Sequence, residues 1–531
     1  MVLPRFALAA LLSLCTVGSA SANGAASSTF YPRTVVSQQG VPTTLAPERE
    51  PVALNDRRDW VFSVEGRQPD DVTAVRLSLP REGISTDVSP RFESGHWVLP
   101  DLVFDVVGVW LVDIMFTTTA GADSAQFRLA IDTEAFVVAE RPSPAQVALI
   151  NAMALPRDPP PPLTATARAA ATLGQQLFFD TGLSRDGRQS CASCHAPGRA
   201  FTDGRARSHP DTRNAPGLIG IADKRWFNRD GSADSLWSQA LGPLENRAEL
   251  DRDRVSLLQW LAAQPHHAER YAEVVGEPLP SAMLEGLPPA SPRRSAAERA
   301  AWEALPAAVR TTVDRHFAEV GKLLAAYQRQ LRPQPTPFDR YAYALADGDT
   351  DADTHLSDDA QRGLMLFLGS RTHCLDCHLG QHFRNNQFHN IGTAPVHTAG
   401  ADPGRSRAIE LIGQNPFNCA GTVSGDATAC THLDDMWRVE VPYLLTGAFL
   451  TPGLREVART GPWFHDGSAT SLMAVMEHYR APPPSRTGRT EHELSPIALT
   501  DEELRQMVAF LEALSTDAEA TEWHRAPAQP E

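Results

Sequence analysis

The 531-residue sequence predicts a mainly α-helical protein in which two similar helical domains follow a small all-β sandwich domain. Three observations lead to this prediction. Short runs of alternating or clustered apolar residues occupy residues 30–140, and a run of prolines follows them. Beyond the prolines, apolar residues recur at three- and four-residue spacing, as in amphipathic helices. The pattern C-x-x-C-H occurs twice in this helical part, which indicates two similar domains.

The N-terminus, MVLPRFALAALLSLCTVGSASANG, predicts a cleaved signal peptide over residues 1–22. Arg5 provides the positive charge, an apolar run extends from Phe6 to Val17, and Ala20–Ala22 form an A-x-A cleavage site. This run is too short for a membrane span, and no later stretch is long and apolar enough to be one. We therefore expect a protein that is exported to the periplasm and does not span a membrane.

The β-sandwich prediction depends on segments such as WVFSVEG, VTAVRLSLP and AQFRLAID, which lie between Gly, Pro and Asp turns. The stretch GISTDVSPRFESGHWVLPDLVFDVVGVWLVDIMF weakly resembles the FixH/YtkA-like sandwich domains of exported bacterial proteins. Its only histidine, His96, has no catalytic or metal-binding group of residues around it in the sequence. We expect this domain to have a docking or structural role.

The segment RDPPPPLT, residues 157–164, predicts a stiff, extended linker. Helical patterns such as ATARAAATLGQQLFF and SDDAQRGLMLFLG follow it. We place the two helical domains at residues 165–345 and 346–515.

The net charge indicates which partners are unsuitable, and the cysteines bear on the redox compartment. The net charge of −16 argues against nucleic acid and anionic membrane surfaces as partners. Seven cysteines are present, and Cys15 belongs to the predicted signal peptide. Cys419 and Cys430 bracket the loop CAGTVSGDATAC, and in an oxidising compartment we expect them to form a disulfide. Two free thiols are the alternative.

The remaining cysteines form the two C-x-x-C-H motifs. Paired thiols can add to the vinyl groups of haem, and the adjacent imidazole can then ligate the iron. A zinc site would need four ligands together, and a thioredoxin-type site needs no following histidine. Export agrees with haem attachment, so we predict two covalently bound haem c groups. The residues concerned are Cys191, Cys194 and His195 in CASCH, and Cys374, Cys377 and His378 in CLDCH.

Longer motifs resemble the bacterial di-haem cytochrome c peroxidases and their MauG-like relatives: LGQQLFFDTGLSRDGRQSCASCHAPGRAFTDG, RNAPGLIGIADKRWFNRDGSADSLWSQALGPLENRAELD, NNQFHNIG and GPWFHDGSATSLMAVMEHY. The resemblance covers about Ala165 to Ser515 and leaves out the N-terminal domain. It implies two cytochrome-c-like domains, in which the N-terminal haem meets peroxide and the C-terminal haem handles electrons. His195 and His378 would be the proximal iron ligands.

The resemblance also implies a distal side for the peroxidatic haem. Glu249 in NRAELD matches the family's acid-base residue, and Gln239 in LWSQALGP matches a residue that orients peroxide or water. The alternatives are a solvated glutamate and an ordinary helix-surface glutamine. Some family members ligate the resting iron with a loop histidine. His209 lies in the corresponding loop, but we expect an open site, as in the MauG-like branch, and interpret His209 as a loop residue.

At the second haem, many family peroxidases use an axial methionine, whereas Tyr479 in VMEHYRAP matches the tyrosine of MauG-like enzymes. A phenolate is a hard, anionic donor that stabilises oxidised iron. Met473, Met476 and His478 are competing candidates, and simple packing of the tyrosine is the other alternative. His465 in WFHDG would bond a haem propionate or the axial ligand, or would be a core histidine.

A calcium ion between the haems is a further family trait. The resemblance assigns its protein ligands to the side-chain oxygen of Asn214 and the main-chain oxygens of Thr460 and Pro462. The sequence departs from the family at Arg229 in WFNRDG, where an electron-relaying tryptophan is usual. Either Trp226 takes over this relay, or the haems couple without it.

Three functions follow from these features. The first is a MauG-like oxidase, in which hydrogen peroxide oxidises the two haems and they remove electrons from a partner protein. The second is a peroxidase that detoxifies hydrogen peroxide with electrons from a small redox protein. The third is a non-enzymatic electron carrier, which Gln239 and Glu249 argue against because a carrier needs no open distal pocket. Tyr479 favours the first function.

Overall fold

The structure is a computed structural model. It describes residues 33–36, 41–47, 58–79, 84–93, 95–102, 108–131, 142–208, 213–369, 371–393, 402–421, 423, 445–482, 493–494, 496–516 and 521–527. The predicted signal peptide, His209 and Cys430 lie outside these residues. The chain divides into two compact units, Met1–Ala139 and Glu140–Glu531. The first contains strands and the second is mainly helical, so the predicted class, a helical protein with a small N-terminal β-sandwich region, is confirmed at this level.

The first unit contains two antiparallel sheets. Their strand orders are β1-β2-β3-β7-β6 and β5-β4-β8-β9. The strands are β1 (Arg33–Val36), β2 (Pro42–Pro47), β3 (Arg58–Val64), β4 (Val72–Leu79), β5 (Ile84–Val88), β6 (Arg91–Glu93), β7 (His96–Leu102), β8 (Gly108–Thr118) and β9 (Gly121–Ile131).

Alternation along these strands builds one apolar core. Side chains two residues apart point to the same face of a strand, so every second residue is buried. The buried residues of β3 and β8 are Trp60, Phe62 and Val64, then Val112, Ile114 and Phe116. The rings of Phe62 and Trp97 stack with centroids 5.4 Å apart, on the neighbouring strands β3 and β7.

The second unit is built from helices and one small two-stranded sheet. The strands of this sheet are β10 (Phe388–His389) and β11 (Phe449–Leu450). The helices are α1 (Pro144–Met153), α2 (Ala165–Phe179), α3 (Cys191–Cys194), α4 (Leu236–Glu245), α5 (Arg254–Ala262), α6 (Pro265–Val275), α7 (Ser281–Leu284), α8 (Ala296–Ala304), α9 (Ala307–Gln328), α10 (Pro337–Asp347), α11 (Asp358–Leu368), α12 (Arg405–Gly413), α13 (Leu472–Arg480) and α14 (Asp501–Glu512).

Among the described residues, no helix is both long enough and apolar enough to cross a membrane. The Pro-rich segment 157–164 lies inside the second unit and forms no helix or strand. Serine and threonine side chains cap many of the helices. At α14, Thr500 and Glu503 form the reciprocal hydrogen bonds of a capping box.

The two halves of the helical unit repeat one packing arrangement. Helix α2 precedes the first C-x-x-C-H motif and packs on α9, and α11 precedes the second motif and packs on α14. In each pair, a glycine allows the backbones of the two helices to approach closely. A Cβ atom at Gly174 would lie 1.9 Å from the carbonyl oxygen of Leu323, and one at Gly363 would lie 1.9 Å from that of Gln506. Each half therefore places its motif at the end of a tightly packed helix pair.

A buried ion pair ties α10 to the loop between β11 and α13. Asp339, which is fully buried, accepts hydrogen bonds from the guanidinium of Arg455 at 2.7 and 2.9 Å. Its carboxylate also accepts from the backbone N–H of Leu155, at 2.8 Å. Removal of either partner would leave the other charge buried and unpaired, which is strongly destabilising.

Candidate active site

The first C-x-x-C-H motif forms a short helix, and the hydrogen bonds around it fix the orientation of the His195 ring. Cys191–Cys194 make the single turn α3, and the backbone N–H of His195 donates to the carbonyl of Cys191 at 2.9 Å. The ring Nδ1 of His195 donates to the carbonyl of Phe201 at 2.8 Å. Phe201 is buried and has a φ of 62°, so the chain turns back sharply to bring its carbonyl to the ring. Nε2 is then the ring nitrogen available for iron.

The second motif has the same geometry. The N–H of His378 donates to the carbonyl of Cys374 at 2.8 Å, and its ring Nδ1 donates to the carbonyl of Phe383 at 2.9 Å. Phe383 is also buried, with a φ of 52°. Burial lowers the pKa of His378 to about 4 and also lowers that of His195. Both rings are therefore neutral at pH 7 and suited to metal ligation.

A small pocket opens beside the first motif. It brings together the five residues that the sequence assigned to the peroxidatic site: Cys191, Cys194, His195, Gln239 and Glu249. Apolar residues, among them Phe178 and Leu218, also line it. A partly apolar cavity with a few converging polar groups is typical of a cofactor site.

The cysteines have the chemistry expected of haem attachment. The thiols of both motifs are free. Burial, and then the nearby charge of Glu249, raise the pKa of Cys191 to about 12; burial raises that of Cys374 to about 11. A redox-active dithiol would show a lowered pKa. No group of three or more metal-ligating side chains occurs in the described part of the chain, so nothing there favours a zinc site. The free thiols and the neutral histidine of the first motif, which line the pocket, have the chemistry needed to hold a haem group.

The distal residues come from α4 and from the turn that follows it. Gln239 lies within α4 and donates from Nε2 to Oδ1 of Asn228 at 3.3 Å. Glu249 lies just beyond the helix, and the side-chain amide of Asn246 donates to its Oε1 at 2.6 Å. Asn246 is also the C-cap of α4, so the end of this helix fixes the carboxylate. The sequence analysis missed Asn246.

Two similar loops, which we call D-G loops, precede helices α4 and α13. The first is Phe227–Ala233 and the second is Trp463–Ala469, and an antiparallel bridge joins the two end residues of each loop. Each loop leads to a serine, Ser235 or Ser471, whose side chain caps the following helix. The two helices are therefore matching elements of the two halves.

Because α4 and α13 correspond, Tyr479 in the second half has a counterpart in the first half, which is Pro243. Pro243 lies eight residues after Ser235 and lines the first cavity. Tyr479 lies eight residues after Ser471, at the corresponding position of α13. Burial raises the pKa of its phenol, and the nearby thiols of Cys374 and Cys377 raise it further, so the phenol lies close to the second motif.

The competing residues of α13 point elsewhere. Met476 is buried in the apolar core of the second half, and Met473 packs against the same core. His478 donates from Nε2 to the carbonyl of Ile391 at 2.7 Å. Tyr479 is the candidate on whose phenol the thiols of both Cys374 and Cys377 act, and its role as an iron ligand stays a prediction.

A group of buried cations, which the sequence analysis missed, lies near Arg229. It comprises Lys224, Arg229 and Arg384; none of these has a carboxylate within ion-pair distance among the described residues, although the charge of Asp223 acts on Arg384. Burial, and then the charges of Arg384 and Arg229, lower the pKa of Lys224 to about 7. The Nε atom of Arg384 is buried and has no partner within the described ranges. Unpaired buried cations require an anionic partner, and haem propionates would supply one.

His465, Trp226 and Cys419 are all buried. His465 stacks on Phe449 with centroids 3.7 Å apart, and its Nδ1 bonds the hydroxyl of Thr393 at 3.1 Å. The indole of Trp226 lies under the guanidinium of Arg405, whose carbon is 4.1 Å from the ring centre. Cys419 is disulfide-bonded; because Cys430 lies outside the described residues, their pairing stays a prediction.

The predicted calcium ligands do not fit a calcium ion in this arrangement. The side-chain oxygen of Asn214 already accepts a hydrogen bond from Arg229 at 2.5 Å. Thr460 and Pro462 flank Gly461, and the Gly461–Pro462 peptide bond is cis. The Arg229 guanidinium therefore occupies one lone pair of the Asn214 oxygen, and its positive charge would repel a calcium ion bound to the same oxygen.

Comparisons with known proteins agree with the site. The sequence profile of the di-haem cytochrome c peroxidase family matches residues 168–347. The chain is similar to the methylamine utilization protein MauG of Methylorubrum extorquens, with 30% identity over 353 residues, which cover 66% of this chain and 78% of that protein. It is also similar to the cytochrome-c peroxidase IdrP1 of Denitromonas iodatirespirans, with 29% identity over 373 residues, 68% of this chain and 86% of that protein.

Among solved structures, the diheme peroxidase BthA from Burkholderia thailandensis shares 21% sequence identity with this chain. The match covers 68% of this chain and 90% of that structure, with a TM-score of 0.47.

Proposed function

Because this chain belongs to the di-haem cytochrome c peroxidase family, which includes MauG, and is a peroxidase-type oxidoreductase, we propose that it acts as a MauG-like oxidase. Hydrogen peroxide is reduced at one haem, and the oxidising equivalents pass through the second haem to a partner protein. The observation that carries this proposal is the pairing of Pro243 with Tyr479 at matching positions of α4 and α13. One site then lacks a distal ligand and the other has one.

In this proposal the family's two haems are covalent haem c groups, held in an exported, periplasmic protein. The cysteines of each motif would hold a haem through thioethers, and Nε2 of His195 and of His378 would ligate its iron. Bound haem supplies the iron at which peroxide is reduced. The cations Lys224 and Arg384 neutralise haem propionates, which accounts for their burial without carboxylate partners.

The protein's contribution at the first site is to move a proton and to leave space for peroxide. Glu249 takes a proton from one peroxide oxygen and delivers it to the other, which becomes the leaving water. Asn246 holds the carboxylate in place through its 2.6 Å hydrogen bond, and Gln239 orients the peroxide. Pro243 has no atom that can ligate iron, so the distal position stays open.

At the second site, the Tyr479 phenolate would hold the iron of the haem. The phenol is buried near the thiols of Cys374 and Cys377, and its pKa is raised, so a positive metal centre is required to deprotonate it. An anionic oxygen ligand lowers the reduction potential relative to methionine sulfur. The second site is thereby suited to hold oxidising equivalents rather than to receive electrons from a small donor.

A hydrogen-peroxide-detoxifying peroxidase, fed by a small redox protein, is the second candidate. Relatives named as cytochrome-c peroxidases support it. The distinguishing experiment measures peroxide consumption by the purified holoprotein with and without a reduced c-type cytochrome. The MauG-like proposal expects slow turnover with the cytochrome and an oxidised state that persists in its absence. Rapid, donor-dependent turnover would favour detoxification, and no reaction with peroxide would favour an electron carrier.

A further inference from the structure

We infer that the guanidinium of Arg229 replaces the calcium ion expected between the two haem sites, so that this protein is a calcium-independent member of its family. The inference concerns the resident cation alone. It does not depend on which partner protein is oxidised, or on whether the protein acts as an oxidase or detoxifies peroxide.

The first support is the direct contact with the predicted calcium ligand. Arg229 donates from Nη2 to the side-chain oxygen of Asn214 at 2.5 Å, and from Nε to its main-chain oxygen at 3.4 Å. The other end of the amide, Nδ2, donates to the carbonyl of Arg205 at 2.8 Å. Asn214 is only 1% exposed. The amide orientation is therefore fixed, and its oxygen points at Arg229.

The second support is the position of Arg229 between the two halves of the helical unit. Arg229 and His465 occupy the same place, immediately before Asp-Gly, in the first and second D-G loops. The backbone N–H of Asn214 donates to the carbonyl of His465 at 2.8 Å. The carbonyl of Arg229 accepts from the N–H of Leu450, also at 2.8 Å. Arg229 and Asn214 thus join the two loops, as a bridging cation would.

The third support is the local charge. Arg213 lies close enough to Arg229 to repel it, and its own charge is already balanced by Asp230 and Asp402 at 2.6 and 2.8 Å. Those carboxylates are therefore occupied. The guanidinium of Arg229 is charged at pH 7, because arginine is not deprotonated in proteins. A divalent cation at Asn214 would face the positive charges of Arg229 and Arg213.

Replacement of calcium by the Arg229 guanidinium would also explain why residue 229 is not the tryptophan that is usual in the family. A guanidinium at residue 229 provides a fixed positive charge and a cross-link to Asn214 in one side chain. An indole at the same position would provide neither, and would leave the oxygen of Asn214 available for calcium. The arginine at position 229 would therefore replace both the tryptophan and the calcium ion.

The test is the calcium content of the holoprotein, measured by ICP mass spectrometry together with iron, after equilibration with micromolar calcium. We expect wild type to contain no stoichiometric calcium, and Arg229→Gln, which removes the cation, to gain about one ion per chain. Arg229→Lys is the matched control: it keeps the charge and should remain calcium-free. Chelator should lower the unfolding temperature of Arg229→Gln only.

Stoichiometric calcium in wild type would overturn the inference, and so would a folded Arg229→Gln protein that takes up none. Far-UV circular dichroism and the haem absorbance of each variant establish that it is folded. The iron content separates this test from the proposed function. Two irons per chain with bound calcium would refute only the role of Arg229, whereas absence of haem would refute the proposed function.

Discussion

The side-chain amide of Asn246 donates a 2.6 Å hydrogen bond to Oε1 of Glu249, across the turn that ends α4. Glu249 lines the cavity beside the first C-x-x-C-H motif, whereas Asn246 itself is exposed. A residue at the helix end therefore fixes the carboxylate that the proposed function uses for proton transfer. Asn246 acts through Glu249, so we treat it as a positioning residue.

Glu249→Gln should slow the reaction with peroxide by about 10²- to 10⁴-fold, because the amide cannot accept the proton. Stopped-flow absorbance of the holoprotein gives this rate. Asn246→Ala should cause a smaller loss, together with a shifted pH profile, because the carboxylate is present but less well held. Glu303→Gln, an exposed residue of α8, is the control for the charge change. A wild-type rate in Glu249→Gln would refute the acid-base role.

Pro243→His should close the first site. The imidazole would lie at the position that matches Tyr479, beside the open coordination position of the iron. We expect a low-spin first haem and a peroxide reaction slower by on the order of 10-fold or more. Pro243→Ala is the control and should keep the high-spin signal. If Pro243→His also stays high-spin, the proposed correspondence between α4 and α13 does not extend to their haem-facing residues.

Much of the site could be predicted because its chemistry lies in contiguous motifs. The cysteines and histidine of C-x-x-C-H occur within five residues, and Gln239 and Glu249 occur within one run that resembles the family, so no tertiary information is needed to propose them. The cavity confirms that this run meets the first motif. The roles of these residues stay predictions.

The remaining features depend on contacts between distant segments, which local patterns do not specify. Lys224 and Arg384 are 160 residues apart in the sequence, and each alone is typical of a solvated surface. The sequence revealed that Arg229 departs from the family pattern but not that its side chain contacts Asn214. The two-sheet topology of the first unit likewise follows from strand pairing rather than from the period-two pattern.

Gly174→Ala should destabilise the second unit by roughly 1–3 kcal/mol or more, because its Cβ would overlap the Leu323 carbonyl oxygen and force α2 away from α9. Gly198→Ala is the control, since a Cβ there has no atom within 4 Å. It should change stability by less than about 1 kcal/mol. Chemical unfolding followed by circular dichroism measures both. Equal stability of the two variants would contradict the close helix packing.

Asp339→Asn should lower stability by about 3–5 kcal/mol at pH 7, because it leaves the Arg455 charge buried without a partner. Burial alone would raise the pKa of Asp339, but the charge and hydrogen bonds of Arg455 outweigh it and lower the pKa. The carboxylate therefore stabilises the fold above its unfolded pKa of about 4, and this contribution disappears as the pH falls through the lower folded value.

Urea unfolding at pH 7 and at successively lower pH tests this prediction. The difference between wild type and Asp339→Asn should shrink below about pH 4. Asp347→Asn, in the exposed pair with Arg157, is the control and should cost less than about 1 kcal/mol. A difference between wild type and Asp339→Asn that does not change with pH would show that the ionised pair is not its source.

The central claim is that one haem has an open distal position and the other is ligated by Tyr479. Low-temperature EPR of the ferric holoprotein, before and after one equivalent of peroxide and alongside Tyr479→Phe, tests it most directly. We predict one high-spin and one low-spin signal, a low-spin signal that changes in Tyr479→Phe, and the slow return of both signals after peroxide abolishes them. A low-spin signal that is unaffected by Tyr479→Phe, with both haems still ferric after peroxide, would contradict the claim.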